Sequence, residues 1–218
     1  HRRDALMARA SHLLSSALSV QEVAELVAKL AVPELADWCF LELVRDGGIE
    51  RVVARHRDPE KEPFIAEFDR AFPLDPSSPV GSPKVIRTGE PELIPDIPDE
   101  FLVQAAQNEE HLRLLRVVGF KSVCIVPLMA RGRILGDLAL ATDNESGRRF
   151  GPDTLDVVRG LADRCALALD NAALYAQREK VAVTLQEELL PPRLPAIPGL
   201  DVAARYSAAG EGNQVGGD

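Results

Sequence analysis

The chain has 218 residues, enough for one full domain with a remainder, or two small domains at roughly 100–200 residues each. Apolar residues make up 46%, so a packed core forms and wholesale disorder is excluded. The balance of 25 Lys and Arg against 34 Asp and Glu gives a net charge of −9, with a pI near 5.0. That balance argues against a generic nucleic-acid binder and against electrostatic docking on an anionic membrane. The three cysteines, Cys39, Cys124 and Cys165, are odd in number and far apart. Each sits in an apolar stretch, so they read as inert core thiols in a reducing cytoplasm rather than a disulfide framework or zinc site. No run of about 18 uncharged apolar residues predicts a membrane span. His1-Arg2-Arg3-Asp4 is not followed by a signal-peptide apolar region.

In chain order, residues 4–18 predict a helix, with Leu6, Leu13, Leu14 and Leu18 at three-to-four spacing. Ser19 and Glu22 form a capping box for a second helix, which ends at Pro33. Residues 38–45 and 49–56 predict a hairpin turning on Asp46-Gly47-Gly48. A helix over 58–72 precedes a Pro- and Ser-rich loop, 73–83. Ser82-Pro83 opens a short helix that Gly89 stops. Residues 91–94 read as a short edge strand, because proline cannot donate to a central ladder. Residues 99–118 are helical in one or two pieces, with Leu112, Leu115 and Val118 on the apolar face and Gly119 as the cap. The clearest strand pair is 121–130 with 133–142, turning on Arg131-Gly132. Pro152 then opens a helix that runs to about Leu190. Adjacent hairpins with local helices imply an α+β fold: an antiparallel sheet flanked by helices, with a long C-terminal helix.

Along that last helix, Leu155, Val158, Ala162, Cys165, Leu169, Ala172, Ala176 and Val183 alternate at three and four, apart from an intervening Glu179. This pattern reads as a coiled-coil seam and predicts a homodimer through the C-terminal helix.

Four segments in order carry a family resemblance. They are VPELADWCFLEL, PVGSPKVIRTGEPELIPDI, SVCIVPLMARGRILGDLAL and FGPDTLDVVRGLADRCALALDNAALY. Together they resemble a GAF domain, a signalling module in which a ligand sits between one sheet face and the covering helices and loops. The end of the chain, LQEELLPPRLPAIPGLDVAARYSAAGEGNQVGGD, is similar to the opening of the SpoIIE/RsbU-like branch of metal-dependent (type-2C) protein serine phosphatases. Gln186, Leu189-Leu190-Pro191, Leu194-Pro195, Tyr206 and Gly216-Gly217-Asp218 match it. The resemblances imply a division into an N-terminal helix (1–18), a GAF sensor domain (19–173), a linker helix (174–191) and the edge of a phosphatase domain (192–218).

They also imply function. The GAF domain would sense a small molecule and regulate a cytoplasmic bacterial phosphatase acting on a phosphoprotein such as an anti-sigma-factor antagonist. Asp218 would be one ligand of the phosphatase's Mg or Mn pair, since hard cations take oxygen ligands. One carboxylate cannot hold such a pair, so these 218 residues hold no complete catalytic set. Phe40, Ile94, Leu112 and Val126 are the candidate ligand-lining residues, chosen for their elements and apolar character. The loop-rich segment 73–99 is the expected lid. The Asn-Lys-Phe-Asp-Glu signature of cyclic-nucleotide-binding members is not present. His111, flanked by Glu109, Glu110 and Arg113, reads as a surface residue rather than a haem ligand. The alternative is a GAF domain that binds no ligand and serves as a dimerisation or docking module.

Overall fold

A computed structural model of the chain describes residues 2–189. The expected phosphatase edge, with Asp218, lies outside the described residues. Helices α1 (Arg2–Ser15) and α2 (Val20–Ala31) lead into the hairpin β1 (Trp38–Arg45) and β2 (Gly48–His56). A single 3-10 turn, α3 (Glu62–Ala71), α4 (Gly81–Thr88), β3 (Glu92–Ile94), α5 (Asp99–Ala105) and α6 (Glu109–Val118) follow. The hairpin β4 (Phe120–Ala130) and β5 (Arg133–Asp143) and the helix α7 (Pro152–Leu189) close the described chain.

Local chemistry sets these boundaries. The Ser19 hydroxyl accepts from Glu22 N–H, and the Glu22 carboxylate accepts from Leu18 N–H, one residue before the expected partner. Gly89 and Gly119 end α4 and α6 at φ of 71° and 69°, the left-handed region that glycine enters without a steric penalty. α4 begins at Gly81, so Pro83 stands at its third position, still within the first turn, where a missing N–H costs little. Both hairpins turn on two residues of positive φ, Asp46-Gly47 and Arg131-Gly132, as tight two-residue turns require.

The five strands are antiparallel in the order β2-β1-β5-β4-β3. The central strands are apolar on both faces, and strict alternation divides them. Cys39, Leu41, Leu43, Leu138 and Leu140 face one core, packed by α1, α2 and α7. Trp38, Phe40, Val123, Ile125, Ala139 and Ala141 face the other, under the helices between β2 and β4. All three cysteines are buried, and burial pushes their thiols up, Cys124 to about 12. Among the described residues no helix is long and apolar enough to cross a membrane.

The seam expected on α7 is corrected over most of its length. Val158, Ala162, Cys165, Leu169 and Ala172 are buried in the chain's own first core, so their spacing records packing on the sheet. Ala172 also ends the first compact unit; the second starts at Ala173. From Ala173 to Val181 the helix is exposed apart from half-buried Leu174, and Tyr175 and Val181 are each more than half exposed. Val183 has a side chain outside the described set.

Gly136 sits opposite Leu43 where β5 approaches β1 most closely. A Cβ there would lie 1.9 Å from the Glu42 carbonyl oxygen, backbone that cannot give way cheaply. Gly136→Ala is therefore expected to cost about 3 kcal/mol, the upper range for overpacking, measured by denaturant unfolding. Wild-type stability in that variant would show that the two strands can part.

Candidate functional site

The second sheet face is hollow. Ala139 lies between Phe40 and Ile125 in register, and Ala141 between Trp38 and Val123. Two methyl groups stand where larger side chains would fill the floor, and a cavity of about 160 Å³ remains. α3 brings Ile65 and Phe68 to it, its C-cap position brings Phe72, α5 brings Phe101 and Leu102, and α6 brings His111 and Leu115. The chain is poor in aromatics, at 5%, with seven phenylalanines. Five of them, Phe40, Phe68, Phe72, Phe101 and Phe120, line this one cavity. Phe120 meets Phe40 edge-on at 6.0 Å between centroids, which fixes both rings.

One end of the cavity is ionic. Arg51, Glu42 and Asp137 form one row across β2, β1 and β5. A bulge between Leu41 and Glu42 in the β1–β2 pairing inserts an extra residue, Val52, and so turns Arg51 onto the Glu42 face. Arg51 Nε and Nη2 donate to Glu42 Oε1 at 2.9 and 2.8 Å, and Nη1 donates to Asp69 of α3. Its guanidinium also lies 4.4 Å from the Phe40 ring centroid. Burial works to lower the Arg51 pKa, and the facing carboxylates Glu42 and Asp69 outweigh it and hold the guanidinium charged.

Glu42 and Asp137 are both fully buried. Ser82 Oγ, from the first turn of α4, stands 2.8 Å from Asp137 Oδ2 and 3.2 Å from Glu42 Oε2. One hydroxyl hydrogen serves only one of them. Asp137 Oδ1 meets no N–H or O–H donor among the described residues, so its hydrogen bond with Glu42 needs a proton on Asp137. Burial, then the Glu42 charge, push the Asp137 carboxyl well above its ordinary range and keep it neutral.

His111 corrects the expectation of a surface residue: it is buried, stacked on Phe72 at 4.6 Å between centroids. Its flanking charges face solvent while its own ring points to the phenylalanines. Nδ1 accepts from Gln107 N–H at 3.1 Å, so the neutral ring carries its hydrogen on Nε2, which has no acceptor among the described residues. Burial lowers the pKa and favours that neutral form.

Of the four expected lining residues, Phe40 is in the cavity wall. Ile94 packs beside the same core without lining the cavity. Val126 alternates to the opposite sheet face and packs in the first core. Leu112 borders a shallow surface groove on α6. The helix and strand assignments were sound for these residues, but the face was not fixed by them. The segment 73–99 does contribute to the wall, through Leu74, Val80, Ser82 and Ile97 among others. Glu42, Asp137 and Arg51 went unnoticed in the sequence, Ser82 was read only as a helix start and His111 as a surface residue. A lone acid in each of two apolar strands was the available signal.

A second buried network lies at the other end of β5. Asp37 accepts from Asp143 N–H, Ser146 and Arg148, and His56 Nε2 is 3.2 Å from Asp143 Oδ2. Burial works to raise both aspartates, and these donors outweigh it and hold them below the usual carboxylate range. Every oxygen has a partner, as a structural joint requires.

Asp137 gives a stability test with a definite sign. Its folded pKa is raised, so the folded state binds the extra proton and stability falls as pH rises above the ordinary value of 3.8. Asp137→Asn keeps the neutral shape and places an amide donor toward Glu42. The variant should gain on wild type by up to about 1.4 kcal/mol per pH unit above pH 4, until Asp137 ionises. A pH-independent difference in unfolding free energy would show that Asp137 is already ionised.

Comparisons agree with this architecture. A GAF-domain family model matches residues 19–169. Over 92 residues the chain is 32% identical to the circadian input-output histidine kinase CikA of Synechococcus elongatus, 42% of this chain and 12% of that protein. The chain thus spans a small part of the curated relative it matches. Among solved structures, the GAF domain of a Coxiella burnetii phosphoenolpyruvate-protein phosphotransferase superposes with a TM-score of 0.57 at 17% identity, covering 83% of this chain and 96% of that one. The GAF domain of the cyanobacteriochrome TePixJ gives 0.54 at 19% identity, covering 74% and 95%. At these identities the structures show the shared fold. With the family model covering most of its length, the chain belongs to the GAF domain family.

Proposed function

We propose that this GAF domain is a small-molecule sensor in a cytoplasmic bacterial signalling protein, and that it regulates a metal-dependent protein serine phosphatase through α7. The observation that carries the sensor reading is the cavity: apolar walls, a neutral histidine and a buried polar end converge on one space. A ligand-free docking module would have this face packed solid. The phosphatase reading is supported by the sequence from Gln186 to Asp218 and its resemblance to the SpoIIE/RsbU-like opening. Its partner would be a phosphoserine protein such as an anti-sigma-factor antagonist, and its ions Mg or Mn. Among the described residues no three His, Cys, Asp or Glu side chains are grouped to hold a metal. Asp218 lies outside them.

The exposed stretch of α7 after Ala172 supports dimerisation. Tyr175 and Val181 are exposed large hydrophobic residues on α7, and a second copy would cover them.

Native mass spectrometry of the protein purified without added ligand tests stoichiometry and retention together. The expected result is a dimer with a retained small molecule, absent from the cavity-filling variant Ala139→Leu. A monomer of bare mass would contradict both parts. In a chain that carries the proposed phosphatase domain, deleting residues 19–169 should change phosphoserine hydrolysis or its regulation. Unchanged rate and regulation would remove the reading that this domain regulates the phosphatase.

A further inference from the structure

We infer that the cavity takes a small, uncharged, planar aromatic molecule of one or two rings, carrying a hydrogen-bond acceptor that meets His111 Nε2–H. This rests on the sensor reading above and deepens it.

Size comes first. A dry apolar cavity of about 150 Å³ holds a benzene. The 160 Å³ here is of that order, too small for a nucleotide or a tetrapyrrole. Shape follows from the walls. Five of the chain's seven phenylalanines meet here, at several orientations, which offers faces and edges to a flat π-system.

Charge is decided by what the polar groups already hold. An anion would need Arg51, yet Glu42 and Asp69 occupy all three guanidinium nitrogens, and Glu42, Asp69 and Asp75 make the lining net acidic. A cation would have to shed its water for Glu42, whose two oxygens are already met by Arg51 and Ser82. An uncharged ring pays neither penalty. Among the uncharged side chains of the lining, His111 offers a donor. Its Nδ1 is committed to Gln107, its ring is stacked on Phe72 and tilted against Phe68, and its Nε2–H has no acceptor among the described residues. A bound acceptor atom would complete it.

Calorimetric titration at neutral pH with quinoline, naphthalene and 1-naphthoate tests this. The three share a two-ring frame; quinoline adds an acceptor nitrogen, naphthoate a negative charge. Quinoline is expected to bind about fivefold tighter than naphthalene, the worth of one ordinary hydrogen bond. Naphthoate should not bind. His111→Phe should bring the quinoline-to-naphthalene ratio below one, because the quinoline nitrogen is then buried without a donor, and Ala139→Leu should abolish binding of both. Should His111→Phe fail to fold, the wild-type ratio and Ala139→Leu still decide. Equal binding of quinoline and naphthalene overturns the His111 assignment. Naphthoate binding that Ala139→Leu blocks overturns the uncharged class and leaves the sensor reading standing. Quinoline binding undisturbed by Ala139→Leu overturns the site. No binding of any probe overturns the inference, and the retained mass in the native spectrum then decides the sensor reading by itself.

Discussion

Two acids face each other across the middle of a buried sheet, and the rest of the site follows from that pair. Glu42 and Asp137 are cross-strand neighbours, both fully buried. Such a pair persists only if one member is neutral and the other is matched by a cation. Asp137 keeps its proton, and Arg51 is turned toward Glu42 by the bulge in the β1–β2 ladder. Arg51 in turn reaches Asp69 on α3, and Ser82 on α4 touches both acids. The helices over the cavity are thereby tied to fixed points on the sheet. A buried ionic network of this kind adds little net stability, but it specifies position. Here it holds two helices above a floor of alanines.

The sheet separates a solid side from a hollow one, and β5 belongs to both. Its Leu138 and Leu140 pack in the first core, while Ala139 and Ala141 floor the cavity. The β4–β5 turn also grips α7: Arg131 Nε lies 2.6 Å from the buried Asp170 carboxylate, with Arg133 at 3.8 Å. A molecule in the cavity thus touches the same strand that α7 packs against. It can move α7 only if it binds one arrangement of β5 better than another. Alanines at the contact make β5 sensitive, because any occupant rests directly on its backbone face.

The element order, both hairpin turns and the helix caps were legible in the sequence, because each is fixed by residues within a few positions. Ser19 with Glu22, Gly89, Gly119 and the Asp46-Gly47 and Arg131-Gly132 pairs are local signals. The site was less legible, because it depends on register and face. Val126 and Phe40 are both apolar strand residues, and only the strand alternation after folding puts one in the wall and the other behind it. Glu42 is a lone acid in an apolar strand until Asp137 and Arg51 arrive from 95 and 9 positions away to form its row. His111 sits among charges in sequence but faces Phe68 and Phe72. The α7 stripe shows the reverse error, since the same spacing serves a coiled coil and a helix packed on its own sheet.

The most direct measurement of whether this face is hollow is a crystal structure of the protein under xenon pressure. Xenon is small, apolar and electron-dense, and it enters dry cavities without needing a polar partner. The account predicts xenon density above Ala139 and Ala141, in contact with Phe40 and Phe120, with the Arg51–Glu42–Asp137 row undisturbed. Phenylalanine side chains from α3 or α5 resting on those alanines, with no xenon between, would contradict it.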